Sequence, residues 1–199
     1  RYAPWQEVQL LDGLADRVLD GSISEIGVSN IGPKRLAWMQ QRLAERGVPL
    51  RSVQVQYSLL SPGDAKVDAL RQLCRERGIE VLAYSPLAFG VLTMPPEGER
   101  RPRTVLQRQL LARLQPASRS LRAVVATIAG QRSVSMAQVA LNWCRAQGTT
   151  PIPGLRTPDQ ARDVAGALQW SLTSAELDQL TMARQQCTVR TPSNPFQSA

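Results

Sequence analysis

Short apolar runs alternate with amphipathic segments along the chain. Apolar residues spaced three and four apart predict helices over residues 5–19, 33–46, 64–77, 104–113, 117–131, 135–147, 158–168 and 173–182. Compact runs of apolar and β-branched residues predict strands over 23–28, 52–56, 79–84 and 150–153. Strands that alternate with helices of this length are typical of βα units, so we expect an α/β fold with a parallel sheet.

Local signals mark where these elements begin and end. Gly47 and Gly78 follow predicted helices as stop residues, and Thr173 with Glu176 predicts a capping box at the start of the last helix. The Pro- and Gly-rich stretch 85–102 predicts a loop, and the polar segment 188–199 predicts a surface tail.

The charge balance is basic, with 24 Lys and Arg against 16 Asp and Glu, a net charge of +8. Lys34 and Lys66 are the only lysines, so nearly all the positive charge is arginine. The excess is compatible with a solvated basic surface, a local phosphate site or a nucleic-acid interface. We expect no nucleic-acid partner, because the basic residues are not interleaved with aromatic ones as a stacking platform requires.

Several classes of site and partner are disfavoured by composition. The sequence contains no histidine, which excludes a His-ligated metal and a Ser-His or Cys-His nucleophile within it. Three scattered cysteines have neither the number nor the spacing of a disulfide framework, so a reducing, cytoplasmic location is expected. No apolar run approaches the roughly 18 residues that a membrane span needs, so we expect no membrane partner.

Polar and aromatic residues stand where the predicted strands end. These residues are Ser29, Asn30, Gln54, Tyr84, Ser85 and the segment 154–157. The carboxyl ends of parallel strands meet at one edge of a sheet, where ligands bind. Amides, hydroxyls, an aromatic ring and a glycine near an arginine are groups that can hold a flat amide-bearing ring and a phosphorylated sugar. The same residues could instead serve as helix caps and turns.

Five ordered motifs resemble the aldo/keto reductase family. They lie at residues 26–30, 53–60, 82–87, 136–143 and 151–154, and the resemblance extends over residues 2–182. Within the family, the branch most similar is that of the pyridoxal reductases of plants, with cyanobacterial relatives. The motifs that indicate it are Tyr-Ala-Pro at 2–4, Gly-Ala-Leu-x-Trp at 166–170 and Asn-Pro-Phe-Gln at 194–197.

The resemblance implies a (β/α)₈ TIM barrel that binds NADPH at the carboxyl ends of its strands. Residues 1–187 would form the C-terminal four strands and their helices, a partial barrel, with 188–199 as the tail. The implied activity is hydride transfer from NADPH to a small-molecule aldehyde or ketone, with pyridoxal as the first candidate substrate.

The family's cofactor-binding positions map onto eleven residues of this sequence. The nicotinamide carboxamide would be held by Ser29, Asn30 and Gln54, and the ring would stack on Tyr84. The pyrophosphate would lie along Ser85 and Leu87. The adenosine and 2′-phosphate end would be held by Gly154, Arg156, Gln160 and Asp163. The long loop would contribute Arg103 to a phosphate.

Each of these assignments has an alternative from the residues themselves. Asn30 could cap the helix that begins near residue 33, Gln54 could have a structural hydrogen-bond partner, and Tyr84 could belong to the core. Arg156 could be a surface arginine, and the neighbours of Arg103 are also basic.

Two departures from the family pattern would weaken cofactor binding. Met94 and Pro95 stand where relatives usually have Gly-Lys, and Val164 stands where an adenine-contacting asparagine is common.

The family's catalytic Asp, Tyr, Lys and His lie on its first four strands and have no match here. Tyr2 and Tyr57 lie in the wrong motifs to replace the proton-donating tyrosine, so no catalytic residue is assigned. Four strands cannot close an eight-stranded barrel. We therefore expect either the inactive C-terminal half of a longer enzyme or a half-barrel that binds a nicotinamide nucleotide or another subunit. Oligomeric state stays open, and a plastid is the alternative location for a plant or algal source.

Overall fold

The computed structural model describes residues 6–62, 65–98 and 104–192. Eight α-helices lie in these ranges: α1 Glu7–Leu19, α2 Pro33–Ala44, α3 Ala65–Arg77, α4 Val105–Ala117, α5 Arg119–Gln131, α6 Met136–Ala146, α7 Pro158–Gly166 and α8 Ser174–Gln186. Four strands accompany them: β1 Ile26–Ser29, β2 Leu50–Gln56, β3 Glu80–Tyr84 and β4 Thr150–Ile152. Two short 3₁₀ helices span Ala88–Thr93 and Ala167–Gln169.

The strands form one sheet in the order β1-β2-β3-β4. β1 pairs with β2 in parallel, and the register aligns Val28 with Val53 and Ser29 with Gln54. Gly27 allows this approach, because a Cβ at that position would lie 2.4 Å from Ser52 Oγ. The predicted α/β class and four-stranded parallel sheet are confirmed.

The chain divides into two compact units. Unit 1 comprises Arg1–Val55, Gly63–Leu82 and Asn194–Ala199, and unit 2 comprises Gln56–Pro62 and Ala83–Ser193.

In unit 1, ion pairs join α1 to α2 at the surface. Arg42 makes two hydrogen bonds to the Asp12 carboxylate, of 3.1 and 2.7 Å, and Arg46 Nη2 lies 2.6 Å from Asp16 Oδ1. Leu36 and Leu43, on another part of α2, are fully buried. The helix therefore turns its apolar positions into the unit and holds α1 with its basic ones.

In unit 2, a tryptophan organises the centre of the core. The rings of Tyr57 and Trp143 stack at 5.4 Å, and Trp143 is 3% exposed. The Arg184 guanidinium lies 5.7 Å from the Trp143 ring, and its Nη2 donates to the Ser61 carbonyl at 2.9 Å. These contacts join α6, α8 and the segment after β2.

Several boundaries differ from those predicted. β1 begins at Ile26 rather than at Ile23, which is 37% exposed before the strand. α4 continues past the predicted end to Ala117 despite Pro116, because Leu111 and Leu114 are buried and packing outweighs the proline signal.

The predicted loop 85–102 contains the 3₁₀ helix Ala88–Thr93, in which Phe89 and Gly90 have positive φ. The capping box of Thr173 and Glu176 is confirmed at the start of α8, which extends to Gln186. The sequence pattern ends this helix too early because its last turn is largely polar.

The first part of the predicted surface tail is packed. Val189 is 5% exposed and Thr191 is 2% exposed, and the Thr191 N–H donates to the Leu60 carbonyl at 2.8 Å. Residues 189–191 therefore differ from the expected surface segment, whereas Thr188 and Pro192 are exposed as predicted. Within the described ranges, no helix has the length and apolar character to cross a membrane. No cluster of potential metal ligands occurs in that same part of the chain.

Candidate functional site

The residues predicted to hold a carboxamide lie together in unit 1. The Ser29 hydroxyl donates to the Gln54 carbonyl at 3.2 Å, and the Asn30 N–H donates to the same oxygen at 2.9 Å. The Asn30 and Gln54 side chains are half-buried and Ser29 is exposed. The N-cap residue of α2 is Gly32, so the interpretation of Asn30 as that cap is wrong.

Two strand exits carry left-handed backbone on residues other than glycine. Asn30 follows β1 with φ of 57°, and Ser85 follows β3 with φ of 52°. Asparagine tolerates this conformation, whereas serine adopts it rarely. Such geometry persists where the surrounding structure demands it, and it turns the chain sharply at each exit.

In unit 2, a cavity of about 460 Å³ lies at the exits of β3 and β4. Six of the predicted cofactor-binding residues line this unit 2 cavity: Ser85, Leu87, Gly154, Arg156, Gln160 and Asp163. A Cβ at Gly154 would meet no atom within 4 Å, so the space beside this residue is open. The topology therefore gathers positions that are up to 78 residues apart in the chain into one concave surface.

The N-terminus of α7 forms one wall of this cavity. Thr157 is the N-cap, and its hydroxyl accepts the Gln160 N–H at 3.2 Å. Gln160 Oε1 in turn accepts the Arg156 N–H at 2.9 Å. One of the first backbone donors of α7 is thus capped by Thr157, and Gln160 also holds the backbone of Arg156, which precedes the helix.

Arg156 is exposed, and within the described residues its guanidinium makes no ion pair or hydrogen bond. Arg162, within α7, is instead paired with Asp159. A free guanidinium at the positive end of a helix is suited to a phosphate or another anion.

Asp163, one turn further along α7, is half-buried and also lines the cavity. Its Oδ1 accepts a hydrogen bond from Gln138 Nε2 at 2.9 Å. Val164, in place of the family's asparagine, lines the same cavity with an apolar side chain.

Besides the three predicted residues of unit 1, two more are not in the described lining of this cavity. Tyr84, the last residue of β3, is half-buried rather than part of a closed core, and its carbonyl accepts the Tyr57 N–H at 3.2 Å. It is absent from the described lining of the unit 2 cavity. Arg103 lies outside the described residues.

Sequence reasoning missed further lining residues, namely Pro86, Phe89, Gly90, Thr93 and Ala137. Phe89 is 41% exposed on the 3₁₀ helix, and the Thr93 hydroxyl donates to the Gly90 carbonyl at 2.9 Å. No periodic pattern marks these positions, because the segment that carries four of them reads as an irregular loop.

The net positive charge is concentrated in unit 2. Unit 1 contains 11 basic and 10 acidic residues, and unit 2 contains 13 basic and 6 acidic residues. Unit 2, with its open cavity and unpaired Arg156, therefore carries a net charge of +7 out of the total of +8. The local phosphate site is the interpretation of the basic composition that this distribution favours.

The model of the Aldo/keto reductase family matches residues 3–185. The chain belongs to the aldo/keto reductase family. The resemblance that the five motifs indicated is thereby confirmed.

The curated relatives of this aldo/keto reductase chain include the chloroplastic pyridoxal reductase of Arabidopsis thaliana, 41% identical over 200 residues, which cover 99% of this chain and 53% of the relative. An uncharacterized oxidoreductase of Mycobacterium bovis is 32% identical over 184 residues, or 87% of this chain and 53% of the relative. The chain spans about half the length of these relatives.

Solved structures share the fold. The thermostable aldo-keto reductase Tm1743, crystallised with the inhibitor epalrestat, matches 88% of this chain and 54% of its own with a TM-score of 0.65 and 24% identity. The apo form of Gox0644 matches 98% of this chain and 58% of its own with a TM-score of 0.67 and 17% identity. At this identity the likeness shows the fold alone, which is TIM-barrel-like.

Proposed function

We propose that this chain forms the nicotinamide-nucleotide-binding part of an NADPH-dependent aldo/keto reductase. The observation that carries the proposal is the unit 2 cavity, in which Arg156 stands unpaired at the N-terminus of α7 among five other predicted cofactor residues. The intact enzyme would transfer hydride to a small-molecule aldehyde or ketone. Pyridoxal is the first candidate substrate, because the Arabidopsis relative is a pyridoxal reductase.

In unit 2 the roles divide along the cavity. Ser85 and Leu87 would follow the pyrophosphate, and the Arg156 guanidinium would bind the 2′-phosphate, where charge and helix dipole act together. Gln160 and Asp163 would contact the adenosine, and Gly154 leaves room for its approach. The preference for NADPH over NADH rests on Arg156, because only NADPH carries the 2′-phosphate.

In unit 1, Ser29, Asn30 and Gln54 would hold the nicotinamide carboxamide. Amide and hydroxyl groups at neighbouring strand exits offer both donors and acceptors to a primary amide. Tyr84 would stack on the nicotinamide ring, and Arg103 would contact a phosphate.

The bound nicotinamide would supply the hydride, and carbonyl reduction also needs a proton donor. We assign none of the family's catalytic Asp, Tyr, Lys and His to this chain, whose sequence has no histidine. The proposal therefore places the acid–base residues on a part of the enzyme outside this chain. The chain by itself would bind the cofactor without turnover.

A fluorescence titration with NADPH and NADH tests this function directly. We expect a saturable signal with NADPH and a weaker affinity for NADH, and competition by 2′,5′-ADP should exceed competition by 5′-ADP. Added pyridoxal should leave NADPH unoxidised by the chain alone. The absence of any saturable signal at about 1 mM nucleotide, a concentration that detects binding as weak as roughly −4 kcal/mol, would contradict the proposal.

The structure also favours a second role, as a half-barrel that binds another polypeptide. β4 lies at the end of the strand order, and an apolar cavity of about 790 Å³ adjoins it. Ile152 and Leu155, which line this cavity, are 39% and 43% exposed. An edge strand beside an apolar face is a template for pairing, and the occupant we propose is a polypeptide carrying the remaining strands of a family barrel.

Sedimentation of the chain alone, and after co-expression with the N-terminal half of the Arabidopsis pyridoxal reductase, tests this second role. A stable 1:1 complex that Ile152→Asp abolishes would support it. If the chain sediments as a monomer and does not bind the co-expressed N-terminal half, the second role is contradicted.

The cysteines are compatible with a reducing compartment. Cys74, Cys144 and Cys187 are buried and form no disulfide, and burial raises the pKa of the Cys74 thiol to about 11. The location we propose is the cytoplasm or, for a plant or algal source, a plastid, and it is tested by imaging the tagged full-length protein.

A further inference from the structure

A glutamine of α6 connects α7 to the tryptophan that follows it. Gln138 Nε2 donates to Asp163 Oδ1 at 2.9 Å, and Gln138 Oε1 accepts the Trp170 Nε1–H at 3.0 Å. The backbone N–H of Gln138 is itself bound by the Ser135 hydroxyl, the N-cap of α6. The Gln138 side chain thus bridges Asp163 of α7 and Trp170, while its backbone is held by the N-cap of α6.

The two partners determine which way the Gln138 amide faces. An ionised carboxylate only accepts hydrogen bonds, so the NH₂ group must face Asp163. An indole N–H only donates, so the carbonyl oxygen must face Trp170. Both requirements are met by the same orientation. A flipped amide would lose both bonds, because its oxygen would face the carboxylate oxygen and its NH₂ group would face the indole N–H.

Gly166 leaves the space that this amide occupies. A Cβ at that position would lie 2.7 Å from Gln138 Nε2 and 3.1 Å from Oε1. Any larger residue at 166 would displace the amide. Both ends of the Gly-Ala-Leu-x-Trp motif therefore contribute to the position of Gln138: Gly166 leaves room for its amide, and Trp170 donates a hydrogen bond to it.

The indole is itself held in position. The Arg132 guanidinium lies 4.9 Å from the centre of the Trp170 ring and makes two hydrogen bonds, of 2.5 and 2.7 Å, to the Glu176 carboxylate. Glu176 belongs to the capping box of α8. The orientation of Gln138 is thereby tied to the rigid start of that helix.

One oxygen of Asp163 is left for a ligand. Oδ1 is engaged by Gln138, whereas Oδ2 has no hydrogen-bond partner in the part of the chain that the structure describes. Because Asp163 lines the unit 2 cavity, this oxygen can accept an N–H or O–H bond from a molecule bound there.

We infer that Gln138, oriented by Trp170 and admitted by Gly166, is the positioning residue that fixes the Asp163 carboxylate for the N–H and O–H donors of the adenosine moiety. This inference rests on the proposed function, since it assumes that the unit 2 cavity takes the adenosine end of the cofactor. It adds Gln138, Gly166 and Trp170 to that site, and none of the three is in the described lining of the cavity.

Calorimetric titration of the full chain with 2′,5′-ADP and with inorganic pyrophosphate tests the inference. Gln138→Leu should weaken 2′,5′-ADP binding about tenfold, the usual effect of losing one hydrogen bond to a charged group. Pyrophosphate affinity should stay within about twofold, because Arg156 and the α7 N-terminus are untouched. Equal binding of 2′,5′-ADP by the variant and the wild type would overturn the inference.

Gly166→Ala reaches the same bond without changing the glutamine. The added methyl should push the amide off Asp163 and reproduce much of the loss for 2′,5′-ADP. Gly130→Ala is the matched control, because a Cβ at Gly130 in α5 meets no atom within 4 Å. Unchanged binding in both glycine variants would count against the inference even if Gln138→Leu folds poorly.

A double-mutant cycle separates positioning from a general structural effect. In an Asp163→Ala background, Gln138→Leu should cost no further affinity, because the carboxylate it orients is gone. Fully additive losses would overturn the inference. If the wild-type chain binds pyrophosphate but not 2′,5′-ADP, the proposed function fails and the inference fails with it, a result distinct from equal binding by wild type and variant.

Discussion

The two units use arginine in different ways. In unit 1, basic residues of α2 pair with carboxylates of α1, as Arg42 does with Asp12, and 11 basic residues stand against 10 acidic ones. In unit 2, 13 basic residues stand against 6; Arg132 and Arg162 pair with carboxylates, whereas Arg122 and Arg184 donate to backbone carbonyls. Carbonyls satisfy the donors of a guanidinium without cancelling its charge.

This difference teaches where a positive potential can form. An arginine paired with a carboxylate adds little to the field beyond its own neighbourhood, whereas one bonded to carbonyls keeps its full charge. Unit 2, which carries the net +7, also contains the cavity lined by the unpaired Arg156. The total charge of the sequence reveals nothing of this partition, because it depends on which residues meet in the fold.

The largest effect is expected from the most buried arginine of unit 2. Arg122 is 2% exposed, and its guanidinium donates to the carbonyls of Pro95, Pro96, Gly98 and Gln115. Arg122→Leu leaves these oxygens without their donor and releases the 95–98 segment from α5. We expect a loss of about 3 kcal/mol in the free energy of unfolding, measured by urea denaturation.

Arg119→Leu is the control for that loss. Arg119 lies on the same helix and is exposed in its pair with Glu97, so its replacement should matter far less. Arg122→Lys should fall between the two, because one ammonium can replace some of the bonds. Equal losses for Arg119→Leu and Arg122→Leu would break the distinction between carbonyl-bound and carboxylate-paired arginines.

The open arginine should affect binding instead of stability. Arg156→Leu should weaken 2′,5′-ADP binding about tenfold or more while leaving urea denaturation unchanged, since the guanidinium makes no hydrogen bond or ion pair with a described residue. The affinity of the variant should also fall less steeply with added salt. Arg162→Leu, within α7, is the matched control. An equal loss of 2′,5′-ADP affinity in that variant would show that binding depends on the total charge near α7 and not on Arg156 itself.

The sequence predicts those features that local patterns encode. The alternation of strands and helices, the stop at Gly78 and the capping box at Thr173 depend on neighbours within a few residues, and each appears in the structure. Six of the eleven site residues also meet in one cavity, because the ends of βα units gather at one edge of a sheet.

Contacts between distant residues could not be predicted in the same way. Gln138 and Trp170 lie 32 residues apart, and nothing in either motif indicates that one hydrogen-bonds to the other. α4 runs through Pro116 because buried leucines hold its last turn, a tertiary effect that local propensity does not contain. Tyr84 follows its strand as predicted, yet the unit 2 cavity forms without it.

A smaller effect is expected from acid at the start of α8. Hydrogen bonds from Arg132 above all, and then from Thr173, lower the pKa of Glu176 from 4.5 to about 2. A carboxyl whose pKa is lower in the folded state stabilises the fold at pH values above its pKa in the unfolded chain. That contribution is lost as the pH falls from about 4.5 towards 2.

The free energy of unfolding of the wild type, measured by urea denaturation, should exceed that of Glu176→Gln by about 2 kcal/mol at pH 6. This difference should disappear as the pH is lowered.

Asp178→Asn, an exposed change on the same helix, is the control for that measurement. Its difference from wild type should stay small at every pH. A gap between wild type and Glu176→Gln that is constant from pH 6 to 3 would show that the carboxylate acts through packing, not through charge.

The smallest effect is expected from the surface pairs of unit 1. Arg42 and Asp12 are each about one-third exposed, and the hydrogen bond from Arg42 is the main cause of the lowered Asp12 pKa. Arg42→Ala should lower Tm slightly in dilute buffer, and the difference should vanish at about 1 M salt, where screening acts within roughly 3 Å. The Arg122→Leu loss should persist at that salt concentration, because its bonds are to buried carbonyls. A fall in Tm on Arg42→Ala that is large and independent of salt would mean that arginines are held in the same way in both units. The charge of unit 2 would then give no reason to expect an anion in its cavity rather than elsewhere.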